Sequence, residues 1–166
     1  MLLALFTAED AEDAEENALV PINDITETII KCAMSVHSAV GPGLLEKAYD
    51  VCFYCELLKT GLQFEHQLKV PMLYQGISLK TGFQVDYFVE NRVLLELKAA
   101  EKLHPVHSAQ IISYLKLTGV TVGLLINFNV VHLRDGIRRL VNGYVPDSQE
   151  FPSASSASSA VDPKTR

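Results

Sequence analysis

Hydrophobic and polar positions along this chain follow two rhythms, and the change between them divides it. Ile25, Ile29, Cys32, Ala33, Val36 and Val40 recur at helical spacing. Asn23-Asp24 offers an N-cap before them, and Gly41-Pro42-Gly43 stops the helix. A second helix is expected from Leu44 to about Thr60, with Gly61 just past its end. On it Glu46, Tyr49 and Phe53 fall on one stripe, which puts a carboxylate in line with two aromatic rings. An acid on a core-facing stripe is unusual. In the first turn, however, the helix dipole favours one.

The rhythm then shortens to two residues. Phe64 to Tyr74 reads as a strand interrupted by Pro71, which predicts an edge strand or a bulge. After a turn at Gln75-Gly76 the chain resumes at Ile77. Phe83–Val89 and Val93–Lys98 then flank Glu90-Asn91-Arg92 as a β-hairpin. Leu103-His104-Pro105 connects to a helix from His107 to about Thr118, ended by Gly119. Val120 to Phe128 is a continuous apolar run, expected to be a buried central strand. Val130 to Leu133 suggests a further strand, and Asp135-Gly136 turns the chain into Ile137–Val141. Antiparallel strands, a crossover helix and a buried strand give an α/β sandwich with a mixed sheet.

The candidate chemistry sits on the hairpin. Glu96 and Lys98 are two residues apart and share a face, while Leu95 and Leu97 take the other. Pairing across a turn near Asn91 brings Asp86 close to Glu96. One reading is a salt bridge on a solvated sheet face. The other is a divalent-metal site with Asp86 and Glu96 as hard oxygen ligands and Lys98 beside an activated water. The spacing of these residues alone does not choose between them.

Charge changes the picture only after it is divided. The chain of 166 residues has a formal net charge of −6, but residues 1–22 hold six acids and no Lys or Arg. From Asn23 to Asn142 there are 12 Lys/Arg against 11 Asp/Glu. The folded part is near neutral and lacks the basic footprint of a tight non-specific nucleic-acid binder. Residues 1–22 read as a disordered acidic leader, 23–142 as one domain, and 143–166 as a disordered Ser/Ala-rich tail. The three cysteines, Cys32, Cys52 and Cys55, have apolar neighbours, and their odd number without a secretory signal points to reduced thiols in a cytoplasm. Cys52 and Cys55 form a C-x-x-C in mid-helix, where core packing is the expected role. Met1 to Phe6 is too short for a signal peptide, and no run reaches the length of a membrane span.

Gly43-Leu44-Leu45-Glu46-Lys47-Ala48-Tyr49 spells G-x-x-E-x-x-Y. With the hairpin, Pro105–Gln110 and Gly123–Phe128 coming after it in order, residues 23–142 resemble the GxxExxY protein family, a branch of the PD-(D/E)xK nuclease-like superfamily. The resemblance implies a restriction-endonuclease-like core with a mixed central sheet flanked by helices. It aligns Asp86 with the superfamily's metal-binding Asp, Glu96 and Lys98 with its E-x-K pair, and Glu46 with an acid on the first core helix. Gln110 with Tyr114 is similar to the Q-x-x-x-Y element of the exonuclease branch linked to recombination helicases. Val85 stands where the motif has Pro, a departure the superfamily tolerates.

The resemblance implies a nuclease site for Mg²⁺ or Mn²⁺, held by Asp86, Glu96 and the backbone carbonyl of Leu97. Lys98 would orient the water or stabilise charge on phosphorus. Glu46 would take a metal-bound water or a second ion, and Gln110 would hold Lys98 or a phosphate oxygen. His37 and His107 are candidates to line the same cleft, although a lone histidine near a helix end is more often simply hydrogen-bonded. Tyr49 and Tyr114 fit as wall residues. The expected partner is nucleic acid, DNA ahead of RNA, in repair or mobile-element processes, with no membrane and with a partner protein or a second copy to be considered. The competing class is a non-catalytic interaction or nucleic-acid-binding protein that keeps the fold.

Overall fold

The computed structural model describes residues 20–143 apart from Gly76. The acidic leader and the Ser/Ala tail lie outside the described residues except for their inner ends, where the Arg92 guanidinium donates to the Val20 carbonyl at 2.5 Å. Two helices come first, α1 (Ile22–Val40) and α2 (Glu46–Leu58). Three strands come next, β1 (Phe64–Tyr74), β2 (Ile77–Val89) and β3 (Val93–Lys98). Helix α3 (Pro105–Thr118), strand β4 (Val122–Asn127), a single helical turn α4 (Leu133–Gly136) and strand β5 (Ile137–Val141) complete the domain.

The five strands form one sheet in the order β1-β2-β3-β4-β5. All neighbours are antiparallel except β3 and β4, which run parallel from Val93↔Val122 to Lys98↔Asn127. That parallel pair needs a crossover, and α3 supplies it. One face of the sheet packs Tyr87, Val89, Val93, Leu95, Leu97, Leu124 and Ile126 against α1 and α2. On the other face Val85, Leu94 and Leu125 meet Ile111, Tyr114 and Leu115 of α3. Helices on both faces make β4 buried along its whole length, as its apolar run predicts. Close approach of α3 depends on Gly123, where an added Cβ would lie 2.6 Å from the Ile111 side chain. This is a restriction-endonuclease-like α/β core with a mixed sheet and flanking helices.

Several boundaries move from where the sequence puts them. Helix α1 starts earlier than an Asn23-Asp24 cap allows: Pro21 occupies the N-cap position, and its carbonyl accepts from the Asp24 and Ile25 amides. Helix α3 likewise starts with Pro105 in its first turn, where a missing N–H costs nothing. Pro71 sits on edge strand β1, where the register shifts between Val70 and Met72, as the proline predicts. Val130–Leu133 is not a strand. It is a loop running into α4, held to α1 by the His37 ring, whose Nε2 lies 2.8 Å from the Val130 carbonyl. Gly136 closes that turn, since a Cβ there would collide with the Asn127 carbonyl oxygen. Cys55 is exposed, so core packing fits Cys32 and partly Cys52 but not Cys55.

Candidate active site

The hairpin registers through Val89↔Val93, Phe88↔Leu94 and Tyr87↔Leu95, closed by a turn in which Glu90 and Asn91 have φ of 51° and 52°. Two positive φ values with the Arg92 amide donating to the Val89 carbonyl at 2.9 Å define a type I′ turn, whose twist suits a hairpin. One step beyond Tyr87↔Leu95 the ladder stops, at Asp86 and Glu96. The Leu97 amide, freed there from pairing with β2, donates instead to Asp86 Oδ2 at 2.8 Å. Alternation along β3 sends Leu97 to the α1/α2 face and Glu96 to the α3 face.

Glu96 is 4 % exposed, and one of its oxygens carries all of its hydrogen bonds. Its Oε1 accepts from Lys98 Nζ at 2.7 Å and from Gln110 Nε2 at 3.2 Å. Its Oε2 is buried with no hydrogen-bond partner. An orphaned carboxylate oxygen in the interior is expensive. Burial, then the nearby Asp86 charge, pushes the Glu96 pKa up to about 7, against the pull of Lys98. Burial also raises the Asp86 pKa, partly offset by the Leu97 amide and Lys98. Burial works against the Lys98 ammonium, but its bond to Glu96 and the neighbouring acids outweigh that and hold its pKa above the usual lysine range.

Gln110 reaches Glu96 from α3 and also donates to the Tyr114 hydroxyl, the i, i+4 contact expected of Q-x-x-x-Y on a helix. Tyr114 stacks on Phe83 with ring centroids 3.9 Å apart, and so acts as a wall. Glu46 is the first residue of α2, and its Oε2 accepts from the Ala99 amide at 3.3 Å, just past Lys98. It is exposed, yet it is close enough to raise the pKa values of both Asp86 and Glu96. The G-x-x-E-x-x-Y segment is held by its own hydrogen bonds. Gly43 takes a φ of 99°, and the Tyr49 hydroxyl donates to the Gly41 carbonyl at 2.7 Å and accepts from the Leu44 amide at 3.1 Å. Tyr49 is fully buried and stacks on Phe128 at 4.6 Å. Loop, acid and tyrosine together set where α2 starts and hence where Glu46 points.

Asp86, Glu96, Lys98, Gln110 and Glu46 are thus brought to one end of the β2–β3 hairpin. The two histidines are not brought together with them. His37 binds the Val130 carbonyl and lines a hollow of about 390 Å³ with Met34 and Arg134. His107 lines a separate open hollow of about 670 Å³ with Lys102 and His104. Two further contributors escape the sequence patterns. Asn127, 2 % exposed, accepts from the Ala100 amide at 3.0 Å and donates to its carbonyl at 2.8 Å, tying down the chain after Lys98. It is the one amide in an otherwise apolar run, which is its only signal. Asp50, one helical turn after Glu46, holds Tyr87 and also raises the Asp86 pKa.

The donor set fits a hard divalent cation in kind: two carboxylates, with Glu96 Oε2 buried and unpartnered. Among the described residues no three His, Cys, Asp or Glu side chains form a metal-holding group, so a backbone oxygen or water would have to complete the shell. The family profile described as the PD-(D/E)XK nuclease superfamily matches residues 23–140. This chain belongs to that superfamily. It has no significant match among curated proteins or among solved structures. No helix among the described residues is long and apolar enough to cross a membrane.

Proposed function

We propose that the chain is a divalent-metal-dependent nuclease of the GxxExxY branch, hydrolysing phosphodiester bonds in nucleic acid. The observation that carries this reading is the buried, unpartnered Glu96 Oε2 beside Asp86 and Lys98. A structural salt bridge would satisfy both oxygens of so deeply buried a carboxylate. Here one has no partner and the group is driven toward neutrality.

Asp86, Glu96 and the Leu97 carbonyl would hold Mg²⁺ or Mn²⁺, which when bound supplies a Lewis acid for the scissile phosphate and for its water. The protein's own residues supply the rest. Lys98, held charged, orients the attacking water or stabilises negative charge gathering on phosphorus. Gln110 shares the Glu96 oxygen with Lys98 and keeps both in place. Glu46 holds the Ala99 amide and adds negative potential that favours a cation at the site.

A second reading is a non-catalytic interaction or nucleic-acid-binding protein on the same fold. It is favoured by the ion pair itself, since Lys98 already sits on Glu96 at 2.7 Å. Melting wild type, Asp86→Asn and Lys98→Ala in Mg²⁺ or Mn²⁺, beside a cleavage assay on mixed DNA and RNA, separates the two. A nuclease gains about 2.7 kcal/mol at a hundredfold excess of metal over Kd. Asp86→Asn loses that gain, while Lys98→Ala keeps it and loses cleavage. No metal shift and no cleavage in wild type leaves the interaction protein.

A further inference from the structure

Asp86 stands where neither neighbouring strand pairs with it. The β1 ladder passes from His66↔Tyr87 to Leu68↔Val85 without pairing Gln67 and Asp86. Gln67 there has a φ of 54°, a region that non-glycine residues enter at a cost. On the other side the β3 ladder ends at Tyr87↔Leu95. The facing of side chains slips as well. Phe83 and Val85 pack with α3, whereas Tyr87 and Val89 pack with α1 and α2, although two-residue spacing would keep all four on one face. Backbone pairing therefore does not fix the direction in which Asp86 leaves the strand.

The next residue does have an anchor. Tyr87 is fully buried, and its hydroxyl donates to Asp50 Oδ1 at 2.6 Å, with the Asp50 carbonyl 3.0 Å away. Burial and the Asp50 carboxylate raise the phenol pKa, so the group remains a donor. The same carboxylate meets His66 Nε2 at 2.9 and 3.1 Å, and the His66 ring stacks on Tyr87 with centroids 4.6 Å apart. β1, α2 and β2 are clamped to one another at this point.

We propose that Asp50, His66 and Tyr87 are positioning residues for Asp86. By locking β2 one residue past the slip, they turn the Asp86 carboxylate onto the Leu97 amide and toward Glu96 and Lys98. The functional consequence rests on the reading of Asp86 as a metal ligand, but the positioning itself has a readout that needs neither metal nor substrate. That readout is the Leu97 amide, which donates to Asp86 Oδ2.

Amide hydrogen exchange followed by NMR on the full chain, as wild type, Tyr87→Phe, Asp50→Asn, His66→Ala and Asp86→Ala, tests this, with Mn²⁺ titrated into each. Asp86→Ala sets the Leu97 exchange rate with no acceptor. Tyr87→Phe keeps the ring in the core, so folding is preserved. It and Asp50→Asn are expected to speed Leu97 exchange by about tenfold toward that limit. Both should weaken Mn²⁺ binding while exchange at Leu124, in the middle of the sheet, stays at the wild-type rate. His66→Ala should act in the same direction and less strongly. Leu97 exchange at the wild-type rate in Tyr87→Phe overturns the proposal, as does an equal acceleration at Leu124, which would mean general loosening. A wild type that neither binds Mn²⁺ nor cleaves sinks the metal reading instead, and Leu97 exchange still decides the positioning.

Discussion

The two ends of the β2–β3 hairpin are built on opposite terms. At the turn end the ladder is regular, and Val89 and Val93 are fully buried. At the open end the ladder has stopped, two acids and a lysine crowd together, and a buried oxygen has no partner. Both ends belong to the same two strands. The difference teaches that one end stabilises the fold strongly enough for the other to stay polar and incompletely satisfied, as functional sites commonly are.

The sharpest way to break that contrast is to weaken the apolar end. Leu95→Ala, at a residue 1 % exposed among α1 and α2 side chains, should cost about 2–5 kcal/mol in urea unfolding. A loss under ~1 kcal/mol would mean that the apolar, paired part of the hairpin does not carry the fold. Next in size is Lys98→Ala, which strands the buried Glu96 carboxylate. Its loss should be about 3 kcal/mol at pH 8 and about 1 kcal/mol smaller at pH 5, where Glu96 is protonated. Equal losses at both pH values would show that Lys98 acts through packing alone.

The wild type should show the same asymmetry without any mutation. Because the folded Glu96 pKa is raised from 4.5 to about 7, the native state holds a proton that the unfolded chain has released across that window. Stability without metal therefore falls as pH rises from about 4.5 through about 7, then levels off. The Asp86 shift has the same sign. Glu96→Gln should flatten the fall, raising stability at pH 8 relative to pH 4.5 by about 3 kcal/mol. A slope unchanged in Glu96→Gln would assign it to another group. The smallest effect belongs to Tyr49→Phe, which removes the hydroxyl bridging Gly41 and Leu44 and should cost about 1 kcal/mol by thermal melting.

Much of the fold was legible because it is local. The period-two strands, Pro71 at a register shift, Gly119 with a φ of 72° past α3, and the Gln110–Tyr114 contact all depend on residues a few positions apart. The hairpin likewise predicted Asp86 beside Glu96, because a turn at Asn91 sets that register. What stayed hidden is tertiary. Asp50 and His66 meet across 16 positions, and His37 meets the Val130 carbonyl across 93. His37 is therefore committed to the loop that its own sequence neighbourhood left free. The Val130–Leu133 strand failed for the same reason. Leu133, 2 % exposed, packs into the α1/α2 core with Val130 partly buried against it, while Val131 is exposed. The slip at Asp86 leaves no trace in a hydrophobic pattern, because Val85 and Tyr87 are apolar on either face.

Asn127 takes on a different meaning when the chain is considered as something that can be lengthened. Its side-chain amide pairs with Ala100 through both a donor and an acceptor, as a neighbouring strand would, and the Phe128 amide donates to the Lys98 carbonyl at 2.8 Å. The register of the parallel pair is thus carried two residues past the last true strand residue. An insertion at Ala99 or Ala100 would shift the E-x-K face itself. The first place where the connection to α3 can grow is Glu101-Lys102, both exposed and outside the grip of Asn127. Tolerance to insertion should therefore change abruptly between Ala100 and Glu101, a boundary drawn by one buried amide.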